Sequence, residues 1–208
     1  MLTGCQTQRP LPIVERSAVE ALQSGMLATA EAEYAEILER RPERWDARYQ
    51  LADIYLRTDR PAEALEQLDI VYTFAPADKD VLDRLADAAI ATGKIDTVLH
   101  KLRSAARAHN RWEDWLRLGR ILRESGDLDA ARPALVAAAV LDNGEHLRPQ
   151  LELARLHAQA GDTQAALERY RMALYLDPNS AESRSAIREA GMIPGPTIAI
   201  QPIEQPNN

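Results

Sequence analysis

One sequence pattern occurs five times along this chain of 208 residues, at spacings of 33 to 35 residues. The unit is clearest in residues 147–180, where two amphipathic helical patterns meet at Gly161 and the second ends before Pro178. Glycine lacks a Cβ and so lets the backbone turn, whereas proline cannot continue a helix. The unit is therefore predicted to be a helix, a tight turn and a second helix.

Five positions of the unit keep one register through all five copies. The turn position holds Gly25, Asp59, Gly93, Gly126 and Gly161. A small-residue position in the first helix holds Ala18, Ala52, Ala86, Gly119 and Ala154, and one in the second holds Ala30, Ala64, Val98, Ala131 and Ala166. Four residues later come Tyr34, Leu68, Leu102, Leu135 and Tyr170, and the terminating position holds Pro42, Pro76, Asn110, Asn143 and Pro178. Such units bury their apolar faces only against their neighbours, which predicts an all-α solenoid.

The unit resembles the tetratricopeptide repeat, a helix-turn-helix family. Its first-helix signature is matched by Trp115, Leu118, Gly119 and Leu122, and its second-helix signature by Ala166, Tyr170 and Pro178. The resemblance covers residues 11–180 and implies a right-handed α-solenoid of five repeats. Residues 181–191 form one more amphipathic pattern and are expected to cap the array, so that the solenoid domain is residues 11–191.

Two short segments flank this domain. Residues 192–208 contain four prolines, and we expect a disordered tail. The alternative is that residues 197–200 dock as an extended peptide, in the protein's own groove or on a partner's sheet edge. Residues 1–10 are predicted to be a lipobox remnant followed by a tether.

Leu2, Thr3, Gly4 and Cys5 resemble a bacterial lipobox, in which the cysteine after the cleavage point receives a diacylglycerol. The resemblance implies lipidation of Cys5, the only cysteine, and Gln6 after it implies sorting to the outer membrane. A basic and an apolar signal region do not precede Leu2, so this interpretation requires a longer gene product. The alternative is a cytoplasmic chain whose terminal cysteine is incidental.

Composition excludes several classes of function. The net charge of −7 argues against nucleic-acid binding, which depends on Lys and Arg neutralising phosphates. The single cysteine excludes an internal disulfide, and no apolar run is long enough to cross a membrane. The histidines show no metal-ligand spacing, and phosphate-loop and nucleophile motifs are missing. We therefore expect no metal, no cofactor and no enzymatic activity.

The resemblance implies a concave face built from the first helices, where such solenoids bind peptides. Helical spacing places one stripe of each first helix on that face. These stripes contain Asp46, Tyr49, Asp53, Leu56, Asp80, Asp83, Asp87, Ile90, Leu116, Arg120, Arg123, Arg148, Leu151 and Arg155. The groove is thus predicted to be acidic in its first half and basic in its second, with apolar anchors between the charges. The alternative is that Asp87 pairs with Arg120 and neither charge serves a partner.

These features predict a scaffold that binds a protein or peptide in its groove. With a lipid on Cys5 it would be an outer-membrane adaptor facing the periplasm, assisting assembly of a pilus, secretion or cell-wall complex. The alternatives are a cytoplasmic adaptor or regulator without a lipid, and a helper domain for an enzyme encoded elsewhere.

Overall fold

A computed structural model of the protein describes residues 8–203, so that Cys5 lies outside the described residues. This range contains eleven α-helices and no strand. None of these helices combines the length and the apolar character that spanning a membrane would require.

The helices fall into two compact units, with the division between Thr92 and Gly93. Unit 1 contains α1 (Leu11–Gln23), α2 (Leu27–Arg40), α3 (Trp45–Arg57), α4 (Pro61–Phe74) and α5 (Lys79–Thr92). Unit 2 contains α6 (Ile95–His109), α7 (Trp112–Glu124), α8 (Leu128–Asp142), α9 (Leu147–Gln159), α10 (Thr163–Leu176) and α11 (Ala181–Glu189). Within each unit, helices that are consecutive in the chain pack against one another. The all-α helix-pair architecture predicted from the repeat is confirmed.

The predicted turn position has one backbone conformation in all five repeats. Gly25, Gly93, Gly126 and Gly161 have φ between 68° and 85°, and Asp59 has φ of 58°. This left-handed region is open to glycine at no cost, and aspartate enters it more readily than most other residues. At Gly25, Asp59, Gly126 and Gly161 this conformation lies where the chain reverses between two helices that pack on each other.

The predicted small-residue positions lie in the core. Nine of the ten are alanine or valine with at most 4% of their surface exposed. Gly119 is the tenth, and a Cβ built on it would lie 2.5 Å from Cδ2 of Leu135 in α8. Small side chains thus allow the two helices of a pair to approach closely, and α7 and α8 approach closely enough to require glycine.

The helix α11 occupies the predicted capping segment and packs on α10. Its N-terminus is capped by Ser180, whose Oγ accepts a hydrogen bond from the backbone N–H of Ser183. Ile187 is fully buried beneath it, and the helix ends before Gly191, which has φ of 77°. A serine cap and a glycine stop fix the limits of this last helix.

The proline-rich tail differs from our expectation of disorder, because residues 192–203 lie along unit 2. Arg171 of α10 donates from Nε to the carbonyl oxygen of Ile198 at 2.6 Å, and its own carbonyl accepts from the N–H of Ile200 at 3.2 Å. Pro202 is buried beside Gly144, just after α8. The tail is ordered here because α10 supplies partners for its backbone, while its prolines have no N–H to satisfy. It follows a second helix rather than the groove of first helices, and residues 204–208 lie outside the described range.

Candidate functional site

The first helices of unit 2 bring most of the predicted basic stripe to one cavity. This cavity has a volume of about 330 Å³ and lies between α7 and α9. Its lining consists of Arg120, Arg123, Glu124, Arg148, Leu151, Glu152 and Arg155. Five of the six stripe residues predicted for this half are therefore neighbours, and we refer to the space as the arginine cavity.

Glu152 organises the arginine cavity from α9. It is 6% exposed, and its two carboxylate oxygens accept from Nε of Arg123 at 3.2 Å and from Nη1 of Arg155 at 2.6 Å. Arg155 also donates two hydrogen bonds to Glu182 of α11, at 2.9 and 2.5 Å. The hydrogen bond to Glu182 raises the pKa of Arg155, with the charges of both glutamates adding to the effect while burial opposes it. These charges form a ladder that runs from α7 through α9 to α11 and holds the guanidinium groups in place.

Four arginines and two glutamates line the cavity. Arg148 is exposed at the N-terminal end of α9, and in the part of the chain that the structure describes it has no ion-pair partner. Guanidinium groups match the planar fork of a carboxylate, so an acidic side chain or a chain end fits this lining. Leu151 supplies the one apolar wall.

Leu116 departs from the predicted stripe. Its side chain is 3% exposed, and it belongs to a run of four consecutive buried residues in α7 that ends at Gly119. A helix buried on nearly all sides has no separate apolar stripe to offer a partner. Leu116 is therefore a core residue and not an accessible anchor.

Buried ion pairs lie in the N-terminal half of α7. Asp114 and Arg117 are 1% and 3% exposed and form an ion pair with Nη1 to Oδ1 at 2.7 Å. Arg111 adds a second ion pair to Asp114, from Nε to Oδ2 at 2.6 Å. Burial alone would raise the pKa of Asp114, but the hydrogen bonds from Arg111 and Arg117 lower it below its usual value. The i,i+3 spacing permits this pair, but it gave no sign that the pair would be buried, because charged residues in a helix are ordinarily solvated.

In unit 1, the predicted acidic stripe lies on α3 and α5. Asp46 and Asp80 are exposed, whereas Tyr49, Asp53, Leu56, Asp83, Asp87 and Ile90 are half-buried. Arg44 binds Asp46 through two hydrogen bonds of 2.8 and 2.7 Å, and these lower the pKa of the carboxyl. The stripe is therefore less acidic than the count of aspartates suggests.

Arg84 of α5 is the residue of this region that helical spacing missed. Its Nη2 lies 2.7 Å from Oδ1 of Asp53 in α3, and it shares a hydrogen bond with Tyr49. Burial raises the pKa of Tyr49, although the hydrogen bond and charge of Arg84 oppose the shift. Arg84 follows Asp83 directly and so falls beside the predicted stripe, from which its long side chain reaches α3. The predicted pairing of Asp87 with Arg120 stays a prediction.

Within residues 8–203, no cluster of three or more His, Cys, Asp or Glu side chains is placed to hold a metal ion. His157 is half-buried at the end of α9, and burial lowers its pKa, with the charge of Arg132 as a second cause. Its Nδ1 lies 3.7 Å from Oδ2 of Asp162. This fits an imidazole that is partly buried by packing.

Comparison with known protein families identifies the repeat. Models described as tetratricopeptide repeat match residues 21–71, 84–146 and 116–181, which together make up more than half of the chain. A search of curated proteins found no match.

Solved structures share the fold. A MamA structure from Desulfovibrio magneticus RS-1 is 15% identical with a TM-score of 0.70, and the match covers 84% of this chain and 98% of that one. TTC0263, a thermophilic repeat protein of Thermus thermophilus, is 23% identical with a TM-score of 0.62, covering 88% and 98%. YrrB, described as a repeat protein with an unusual peptide-binding site, is 21% identical with a TM-score of 0.62, covering 82% and 88%. At these identities the likeness concerns the fold alone.

Proposed function

The chain belongs to the tetratricopeptide repeat family, and on that basis we propose that it is a non-enzymatic scaffold that binds protein partners through its first helices. The repeats support a role in protein–protein interaction, and proteins of this fold are generally non-enzymatic. The observation that carries the proposal is the arginine cavity, where the first helices α7 and α9 present four guanidinium groups around one leucine.

The chemistry of this cavity defines the partner. Arg123 and Arg155 are already bound to Glu152, so they shape the wall, while Arg148 remains available to a ligand. A peptide that carries carboxylates beside apolar side chains would place an acid on Arg148 and a side chain on Leu151. YrrB, which has a peptide-binding site, supports a peptide as the occupant class.

The test is the binding of a fluorescein-labelled peptide of alternating glutamate and leucine, followed by fluorescence anisotropy. Arg148→Glu should weaken binding about tenfold or more, since a hydrogen bond to a charged group is worth ~1.5–3 kcal/mol. The matched control is Arg103→Glu on α6, which reverses an equally exposed arginine outside the cavity. Equal losses in the two variants would show only a general charge effect and would refute the site.

The acidic stripe of unit 1 is proposed as a second contact for a basic segment of the partner. Replacing both Asp83→Arg and Asp87→Arg should abolish capture of a lysine–leucine peptide, with circular dichroism to verify that the variant is folded. Capture should also weaken as salt rises, because exposed charges are screened. Undiminished capture by the double variant would remove the acidic stripe from the binding surface.

For location, we propose a lipid anchor on Cys5 that holds the scaffold at the bacterial outer membrane, facing the periplasm. There it would recruit components of a pilus, secretion or cell-wall complex. The support is the likeness of Leu2, Thr3, Gly4 and Cys5 to a lipobox.

Fatty-acid labelling of the protein expressed from its complete native gene tests the anchor, with Cys5→Ala alongside. Label on the native protein that the variant lacks is the expected result. Without label in either protein, the anchor is refuted and the scaffold becomes a cytoplasmic adaptor.

A further inference from the structure

The ordered tail encloses a second cavity in unit 2, of about 540 Å³. Its walls come from the end of α10, the following loop, α11 and the tail. They consist of Leu174, Tyr175, Pro178, Arg184, Pro194, Gly195, Pro196 and Ala199. This tail cavity shares no residue with the arginine cavity, and its volume lies within the range of small-molecule sites, roughly 300–1,000 Å³.

The lining of the tail cavity is predominantly apolar. Tyr175 keeps 48% of its surface exposed although it is a large aromatic residue, and Pro178, Pro194 and Pro196 line the same space. Gly195 has no neighbouring atom within 4 Å of where a Cβ would be. The exposed ring of Tyr175 offers a stacking surface for an aromatic ring, and the volume beside it leaves room for one.

Arg184 is the single charged residue of this lining. Its Nη1 donates to the carbonyl oxygen of Pro178 at 3.2 Å, and it forms no ion pair with any residue between 8 and 203. A guanidinium group has five N–H donors, so most of the donors of Arg184 stay available at the wall. The guanidinium group of Arg184 can therefore form charge-assisted hydrogen bonds with a ligand that carries one carboxylate.

We propose that the tail cavity binds a small aromatic carboxylic acid, with its ring between Tyr175 and the prolines and its carboxylate on Arg184. This is a ligand site in addition to the protein-binding role proposed above. Arg171 holds the tail that forms one wall, through its contacts with Ile198 and Ile200. Ligand binding should therefore also slow hydrogen exchange at the Ile200 N–H.

The experiment measures binding of 3-phenylpropionate to the full chain by isothermal titration calorimetry, with 3-phenylpropan-1-ol as the neutral analogue of equal size. The acid should bind about tenfold more tightly than the alcohol, which corresponds to ~1.4 kcal/mol. Arg184→Gln should abolish that preference, while Arg188→Gln, an exposed arginine one turn later on α11, should preserve it. Tyr175→Ala should weaken both ligands. Circular dichroism verifies that each variant is folded.

A further arm distinguishes a free acid from a chain end with the same chemistry. The probes are the peptide Gly-Gly-Phe with a free carboxylate and the same peptide as its amide. For a small-molecule site, 3-phenylpropionate should bind more tightly than either peptide. If Gly-Gly-Phe with its free carboxylate binds more tightly than 3-phenylpropionate, the ligand is a chain end and the assignment to a small acid is overturned. Equal binding of acid and alcohol, retention of the preference in Arg184→Gln, or no binding at millimolar acid would each refute the proposal. Arg148→Glu, which tests the arginine cavity, should leave all these affinities unchanged.

Discussion

The close contact of α7 with α8 allows a quantitative prediction for Gly119→Ala. The new Cβ would lie 2.5 Å from both Cγ and Cδ2 of Leu135 and 3.1 Å from its backbone nitrogen. Ordinary carbon–carbon contacts are about 3.5–4 Å. Leu135 is fully buried, so either its side chain must repack or the two helices must move apart.

The expected loss is a balance of two terms. Overpacking a well-packed core costs ~1–3 kcal/mol, whereas alanine improves on glycine inside a helix by about 1 kcal/mol. We expect a net destabilisation of about 1 kcal/mol, or a melting temperature lower by roughly 2–4 °C for a chain of this size. Thermal and urea unfolding monitored by circular dichroism would measure it. Gly195→Ala is the matched control, because a Cβ there meets nothing within 4 Å.

A double-mutant cycle tests whether the contact with Leu135 causes the destabilisation by Gly119→Ala. Leu135→Ala alone should cost ~2–5 kcal/mol, because it leaves a cavity at a fully buried site. In that background the clash is relieved and Gly119→Ala should become neutral or stabilising by up to about 1 kcal/mol. If Gly119→Ala had the same effect with leucine and with alanine at position 135, the contact with Leu135 would not be the reason for the glycine.

Three further predictions concern charge and the tail. Asp114→Asn should destabilise the protein by ~3–5 kcal/mol, because it removes a buried carboxylate that forms ion pairs with both Arg111 and Arg117. Since the folded pKa of Asp114 is lowered, its contribution is present above 3.8 and fades as pH falls further, so the variant should lose less stability in acid. The pKa of His157 is also lowered, so the native protein should lose stability as pH falls below 6.5, and urea midpoints of His157→Gln should show less of that loss. Gly144→Ala places a Cβ 2.8 Å from Cβ of Pro202 at φ of 72° and should speed hydrogen exchange at the Ile200 N–H in the tail; unchanged exchange would mean that Pro202 does not fix the tail.

The periodic features of the fold could be predicted because the repeat imposes one local requirement at each place. A turn between paired helices needs positive φ, which Gly161 has. A close crossing needs a small side chain, and Ala154 is fully buried at one. Asp59 obeys the same rule, with φ of 58°. Each of these requirements depends only on position within the unit, and spacing alone reveals it.

The remaining features depend on which neighbouring helix a side chain or the tail contacts, and the spacing of residues does not specify that. Arg84 and Glu152 reach partners on neighbouring helices, and long side chains have several such partners to choose from. Leu116 fits the stripe by spacing but is buried, because α7 is enclosed on nearly all sides. The order of the tail likewise depends on the place of Arg171 on α10, and proline content gives no information about that.

The charge ladder of unit 2 has a consequence for engineering this array. Arg123, Glu152, Arg155 and Glu182 alternate in sign from α7 to α9 to α11, with two contacts between helices and one, Glu152 to Arg155, within α9. A terminal helix transplanted from another protein would need an acid in the place of Glu182, or Arg155 would lose the partner that fixes its direction. Because Arg155 of α9 pairs with Glu182 of α11, we expect the fifth repeat and the capping helix to be transplanted together more successfully than either one alone.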